Sequence, residues 1–305
     1  MTLYEVILLD SAIYACLLAV LCTGLTLTYK VTKVPNFAHT SFAVLGMYMA
    51  LIVTKLFESS TYLSMPLAFV VSGATAFALY YGILQGLQKK NSSYLVLIIA
   101  TLAFDFMMLG ILNIIADVVS DYQVTSRDFT LRSFDVIIAD VPAVLLVSIV
   151  TLAGMVSGLY YLLYKTKFGI SMRAAIENAS LAESRGINIY RVFGVSWFLS
   201  GGLAGVAGAL LSLWFQGDPS LGMFLLPSVF AGSIVGGFSS IYGAVIGGML
   251  VGFSEIIGTS VLATTIGAWI VAYRPIIPFL FIVVTLMLFP VGIAGLKRGT
   301  RDDSS

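Results

Sequence analysis

The stretch VILLDSAIYACLLAVLCTGLTLTY, Val6–Tyr29, holds one acid, no base and no proline. As a helix it is long enough to cross about 30 Å of hydrocarbon. The rest of the chain follows its lead. Of 305 residues, 59% are apolar and 10% charged, with 29 glycines and a mean hydropathy of +1.01. Soluble domains run near 45–50% apolar and about 25% charged. So few charges cannot cover a water-facing surface, which excludes a soluble globular enzyme, and abundant apolar surface excludes disorder. The expectation is an all-α, polytopic membrane protein, a single domain over residues 1–305.

Working outward from Val6–Tyr29, further spans are expected near Phe37–Val53, Ser64–Leu84, Tyr94–Ile115, Val141–Tyr164 and Val192–Phe215. A glycine-rich region follows at Gly222–Gly237 and Tyr242–Leu262, then a last span at Ile276–Ile293. The total is eight or nine, because Phe37–Val53 and Gly222–Gly237 are short or interrupted and suit broken or re-entrant helices. MTLYEVILLD has no Lys or Arg ahead of its apolar run, so the first span is expected to be retained rather than cleaved as a signal peptide.

The charges cluster. Ala116–Asp140 holds five acids and two arginines, Lys165–Arg191 five bases and two glutamates, and Lys297–Asp303 three bases and two aspartates. The positive-inside rule places Lys30–Lys33, Lys89–Lys90, Lys165–Arg191 and the C-terminal tail in the cytoplasm. Nine crossings then put the N-terminus and Ala116–Asp140 outside, in a plasma or inner cell membrane, with Lys55 and Arg274 as minority outer bases. A net charge of +1 gives no basic field for nucleic acid. Cys16 and Cys22, six apart on one helix, face different directions and are expected to be free thiols. Gly82/Gly86, Gly201/Gly205, Gly243/Gly247 and Gly248/Gly252 have the spacing that lets helix backbones approach, chiefly within one subunit. Gly236 and Gly237 mark a turn.

The polar segment KTKFGISMRAAIENASLAESRGINIYRV, Lys165–Val192, is patterned. Ser171–Arg185 lacks Pro and Gly and carries strong helix formers, with Ser171 as N-cap and Gly186 as C-cap. Met172, Ala175, Ile176, Ala179 and Ala182 or Leu181 form one apolar face. Such an amphipathic helix either lies on the membrane or the underside of its own protein, or docks on a partner; Glu177 and Glu183 argue against simple binding to anionic lipid.

Here the residues resemble a known family. Gly169, Arg173-Ala174, Glu177-Asn178, Ala182, Gly186-Ile187-Asn188 and Arg191 are similar to the coupling loop of ABC-importer permeases, specifically the shorter subunit type of the branched-chain amino-acid permeases. PNFAHTSFAVLGMYMA (35–50), GSIVGGFSSIYGAVIGGMLVGFSE (232–255) and FPVGIAGL (289–296) agree in order and spacing. Thr40 stands where that family more often has glycine. The resemblance implies a second permease subunit, identical or homologous, two cytoplasmic ATPase subunits and an external solute-binding protein. It implies that Gly169, Arg173, Ala174, Glu177, Ala182 and Gly186 form the docking element in the cytoplasmic loop 165–191. Arg173 and Glu177, four apart, suit pairing with each other or with the partner. Leucine, isoleucine or valine is the implied substrate class, with urea and short amides as the range of related permeases.

The chain shows no chemistry of its own. It has no Gly-Lys dipeptide, so no phosphate-cradling loop, and ATP and Mg belong on the partner ATPase, with no cofactor on this chain. His39 is the single histidine and suits a structural hydrogen bond at a helix start, with Asn36 as cap and Pro35 setting the entry. Asp117 and Asp121 form a D-x-x-x-D pair that reads as solvated loop acids. Asp105 and Glu255 fall inside spans, where ionisable groups are costly. They serve either as interhelical hydrogen bonders or, with Asn36 and His39, as lining of a translocation path. An ion-coupled secondary transporter would use Asp105 and Glu255 as its sites, but leaves the patterned loop without a role.

Overall fold

Runs of apolar residues with no water to bond their backbones have one local solution, the helix. A computed structural model describes residues 3–138, 141–289 and 292–293. Helix α1 spans Leu3–Thr32, α2 His39–Lys55, and α3 Ser64–Leu79, which continues through a π turn, Tyr80–Leu84, into α4, Gln85–Lys89. Then come α5 (Tyr94–Asp121), α6 (Ala143–Lys165), α7 (Lys167–Glu177), α8 (Ala179–Ser184) and α9 (Ile189–Leu211). The last three are α10 (Leu221–Gly236), α11 (Ile241–Thr265) and α12 (Ile276–Leu288). Two-residue strands at Ile137–Ile138 and Val141–Pro142 form a small antiparallel pair. The chain is an all-α, multi-pass membrane protein.

Among the described residues, six helical stretches are long and apolar enough to cross a membrane: α1, α3 with its flanking turns, α5, α6, α9 and α11. Helices α2, α10 and α12 are shorter. The expected positions hold to within about six residues, with the largest shift at the end of α5. Helix α5 runs to Asp121, so Asp117 and Asp121 sit on its last turns rather than in a loop. The C-terminal bases Lys297, Arg298 and Arg301 lie outside the described residues.

Helices α1 and α9 are the most buried long spans, and fourteen residues of the 17-residue α2 are buried, chiefly against α9 and α3, with α10 and α5 beside them. Lipid is as apolar as the side chains, so close packing and interhelical hydrogen bonds supply the adhesion. Glycine permits that packing at two crossings in particular. A Cβ on Gly46 would collide with the backbone of Gly205, fixing α2 against α9. A Cβ on Gly248 would meet the backbone of Ala19, fixing α11 against α1. Gly82 and Gly86, by contrast, face nothing within 4 Å. Side-chain hydroxyls add Ser200 donating to Gly24 O at 2.7 Å and Ser72 donating to Phe42 O at 2.9 Å. Cys16 and Cys22 are buried free thiols.

The bundle has two distinct ends. At one, the hairpin end, Phe129 pairs with Gly217 through backbone hydrogen bonds, Trp214 donates to Asp10, Tyr62 donates to Asp135, and Lys55 lies 4.3 Å over the Phe134 ring. Arg127 donates at 2.8 Å to both Asn113 Oδ1 and Asp117 Oδ1; the Asp117 bond raises its guanidinium pKa. Helices α7 and α8 occupy the opposite end.

Helix α2 is a partial crossing. Its first residue, His39, donates from Nε2 to Leu21 O, midway along α1, while Tyr48 in its middle donates to Ser126 O and its last residue, Lys55, lies over Phe134 at the hairpin end. The chain therefore climbs from the α7–α8 end to mid-bundle as irregular backbone, residues 33–38. Non-helical backbone at such depth is tolerated only inside protein. Val34, Asn36 and Ala38 are buried, Thr101 Oγ1 donates to Pro35 O at 3.3 Å, and Phe37 N–H reaches Thr101 Oγ1 at 3.4 Å.

Candidate functional site

The patterned loop becomes two short helices clamped to the spans. Thr166 caps α7, its hydroxyl accepting from Gly169 N–H at 3.0 Å while donating to Leu162 O. The helix thus starts four residues before the expected cap Ser171, which lies inside it and donates to Lys167 O. The expected single helix also breaks at Asn178. That residue adopts an extended backbone, and its side chain accepts from Leu181 N–H at 3.0 Å, capping α8. A side chain able to cap a new helix competes with continuing the old one. Gly186 ends α8 at φ +82, the left-handed conformation that glycine adopts freely.

The six residues named for this element divide by direction. Gly169 is buried against the end of α6, where a Cβ would collide with Leu162 O and Leu163 O. Arg173 turns inward, donating to Leu163 O at 2.7 Å with its guanidinium 5.1 Å over the Tyr164 ring. It caps the carbonyl end of α6 and makes no salt bridge to Glu177. Ala182 is buried and Ala174 half-buried, whereas Glu177 and Gly186 are exposed. Met172 and Ala175 seat α7 on α6, α9 and α1. Exposed on the element are Glu177 and two apolar side chains, Ile170 at 58% and Leu181 at 57% exposure. Sequence patterning missed both: Ile170 lies before the expected helix, and Leu181 was left as an alternative to Ala182 on the inward stripe.

The four intramembrane candidates do not converge on one place. His39 is fully buried among α1, α2 and α9, with Nε2 2.9 Å from Leu21 O and Nδ1 3.4 Å from Ser200 Oγ. Its hydrogen bonds tie three helices. Asn36 is not the cap of α2: its Oδ1 accepts from Ala38 N–H at 3.1 Å, holding the turn before the helix, while Ala38 occupies the cap position. Asn36 Nδ2 and Thr40 Oγ1 are buried without a protein hydrogen-bond partner. Asp105 accepts from Ser41 Oγ at 2.5 Å, joining α5 to α2.

Glu255 is the one with a charged partner. Arg274 Nε donates to its Oε1 at 2.6 Å, Tyr14 Oη donates from 3.1 Å of both carboxylate oxygens, and the guanidinium lies 4.6 Å from the Tyr14 ring centroid. The Glu255 side chain is 4% exposed and the Arg274 side chain 28%. Tyr14 on α1, Glu255 on α11 and Arg274 ahead of α12 thus border one cavity of about 190 Å³ near the hairpin end. The signal for Arg274 was present: a lone cation inside VAYRPIIPF, between two apolar helices, is obliged to find a counter-charge. Among the described residues no cluster of His, Cys, Asp and Glu could hold a metal ion.

Residues 7–289 match the model of a family described as the branched-chain amino acid transport system / permease component. The chain belongs to the branched-chain amino-acid transport permease family. It is 42% identical over 293 residues to the probable branched-chain amino acid transport permease protein LivH of Methanocaldococcus jannaschii, covering 96% of this chain and 93% of that one. It is 26% identical over 301 residues to the high-affinity LivH permease of Escherichia coli, covering 91% of each. A nucleoside ABC transporter permease, NupC of Lactococcus lactis, matches more narrowly, 29% over 147 residues and 43% of this chain. No solved structure matches the permease. The family places the chain among transport components rather than enzymes.

Proposed function

We propose that this permease is the transmembrane subunit of an ATP-driven importer of branched-chain or related amino acids. In this reading a solute-binding protein delivers the substrate on the hairpin side, outside the cell, and ATP and Mg are handled by two ATPase subunits beneath α7–α8. A second permease subunit completes the path. The N-terminus lies outside and the C-terminus in the cytoplasm, as the basic residues of loop 165–191 favour.

The observation that carries the reading is the build of α7–α8. Thr166, Gly169 and Arg173 fasten it to the end of α6, and Met172 seats it on α9, while Ile170, Glu177 and Leu181 are exposed. A rigid knob joined to three spans and bare on its far side suits passing a partner's motion to those spans. An ion-coupled mechanism is less well supported, because Asp105 and Glu255 are both engaged by protein groups.

The test is co-purification from cells that express the cognate ATPase. Leu181→Arg and Gly186→Val are expected to lose the ATPase while the permease remains in the membrane fraction. Retention of a full complement of ATPase by both variants would remove α7–α8 as the docking element. The ligand carried by the cognate binding protein separates amino acids from urea or short amides.

A further inference from the structure

The cavity over the Glu255–Arg274 pair combines features that no helix-packing role requires. Its floor holds one buried carboxylate and one guanidinium in contact, and its walls include Phe215, Leu221, Phe224 and Leu225. An ion pair needed only to pin α12 to α11 would be covered by the side chains it joins. This one opens into a mainly apolar space that reaches Phe224, which is 63% exposed.

The bonding capacity of the pair is partly unspent. Arg274 donates from Nε to Glu255 and lies against Tyr14, and its terminal nitrogens carry further N–H donors of the planar kind that holds a carboxylate. Glu255 uses Oε1 for Arg274 and shares the Tyr14 hydroxyl between its two oxygens, so Oε2 keeps acceptor capacity, in a residue that lines the cavity. An anion-binding edge and a cation-binding oxygen therefore lie side by side. The α-carboxylate and α-ammonium of an amino acid are likewise held one carbon apart.

Size agrees. An apolar protein cavity of about 150 Å³ admits benzene, so about 190 Å³ suits a ligand with a few more heavy atoms. Position agrees as well. Tyr14 lies four residues, roughly 6 Å along α1, from Asp10, which bonds Trp214 at the hairpin end. The cavity is thus about one helical turn below the side proposed to receive substrate.

We infer that this cavity is a substrate site for a zwitterionic aliphatic amino acid, with Arg274 holding the carboxylate, Glu255 the ammonium, and Phe224 and Leu225 the side chain. The assignment rests on the amino-acid permease reading and gives it a location.

The experiment uses the complete transporter, purified with its partner subunits but without the binding protein, in vesicles of phosphatidylcholine and phosphatidylglycerol. Equilibrium binding of radiolabelled leucine is measured. Saturable binding is expected, competed by isoleucine and valine but not by leucinol, which lacks the carboxylate, or 4-methylpentanoate, which lacks the ammonium. Arg274→Lys keeps the charge and removes the fork, and is expected to weaken binding about tenfold or more, the scale of one charge-assisted hydrogen bond. Phe224→Ala touches neither charge and is expected to shift preference from leucine toward phenylalanine, which a merely structural pair would not do. If leucine uptake with the binding protein proceeds while both variants bind and select as the parent does, the site is wrong and the permease reading stands. If phosphatidylethanolamine, and not leucine, occupies the site and is lost in Arg274→Lys, the zwitterion is a lipid and the substrate assignment falls. If the intact system imports no leucine, the amino-acid reading falls and the assignment with it.

Discussion

Asp105 and Glu255 are both single carboxylates buried within long apolar helices, and the bundle treats them differently. Asp105 meets only a neutral hydroxyl, Ser41, and links α5 to the half-length helix α2. Glu255 meets a guanidinium and a phenol from two other helical segments and borders a cavity. The difference lies in what the neighbouring backbone delivers. The 3-10 turn Ala268–Tyr273 brings the chain back over α11 and sets Arg274 beside Glu255, whereas no described cation lies within ion-pair distance of Asp105. One carboxyl fastens α5 to α2 through a neutral hydrogen bond; the other joins an ion pair that borders a cavity.

The largest expected break in this comparison is Arg274→Ala. It leaves Glu255 buried without its counter-charge, which costs about 3 kcal/mol, the lower end for a broken buried pair because the Arg274 side chain is partly exposed. Thermal unfolding of the purified permease in detergent would show it. The double variant Glu255→Gln/Arg274→Gln is expected to recover most of that loss, since neither charge is then stranded; equal destabilisation of single and double variants would remove the ion pair as the cause.

A smaller effect is expected at the fastener. Ser41→Ala and Asp105→Asn each lose at most one interhelical hydrogen bond, worth about 0.6 kcal/mol in membrane bundles. A double-mutant cycle checks it, and a coupling as large as that of Glu255 with Arg274 would erase the distinction. The smallest effect belongs to Arg127, whose pair with Asp117 is largely exposed at the hairpin end. Exposed pairs are screened and entropically costly, so Arg127→Ala is expected to leave the unfolding midpoint unmoved while the bundle stays intact.

Much of the fold was legible because hydropathy is a local sum. Any window of α1 or α5 is apolar enough to declare itself, and α1 extends the expected Val6–Tyr29 by only three residues at each end. The start of α2 was less legible, since the backbone before it satisfies its polar groups through Thr101, some sixty residues away in sequence. The coupling loop shows both cases. Its end at Gly186 followed from local chemistry, while its break at Asn178 depended on which of two local hydrogen-bonding choices the packing of Ala175 and Ala182 favoured. The pairing of Arg173 with Glu177 allowed by their spacing does not form, because the carbonyl of Leu163 lies closer to hand.

By itself the sequence determined that this protein lives in a membrane, roughly how many times it crosses, and where its few charges gather, because each of these follows from transfer energies summed along the chain. Only the tertiary structure decided that Tyr14, Glu255 and Arg274 share a cavity while Asp105 and His39 reach groups on neighbouring helices elsewhere in the bundle. Those roles depend on which helices close glycine contacts bring together. Gly46 against Gly205 and Gly248 against Ala19 set distances between segments that no local sum contains.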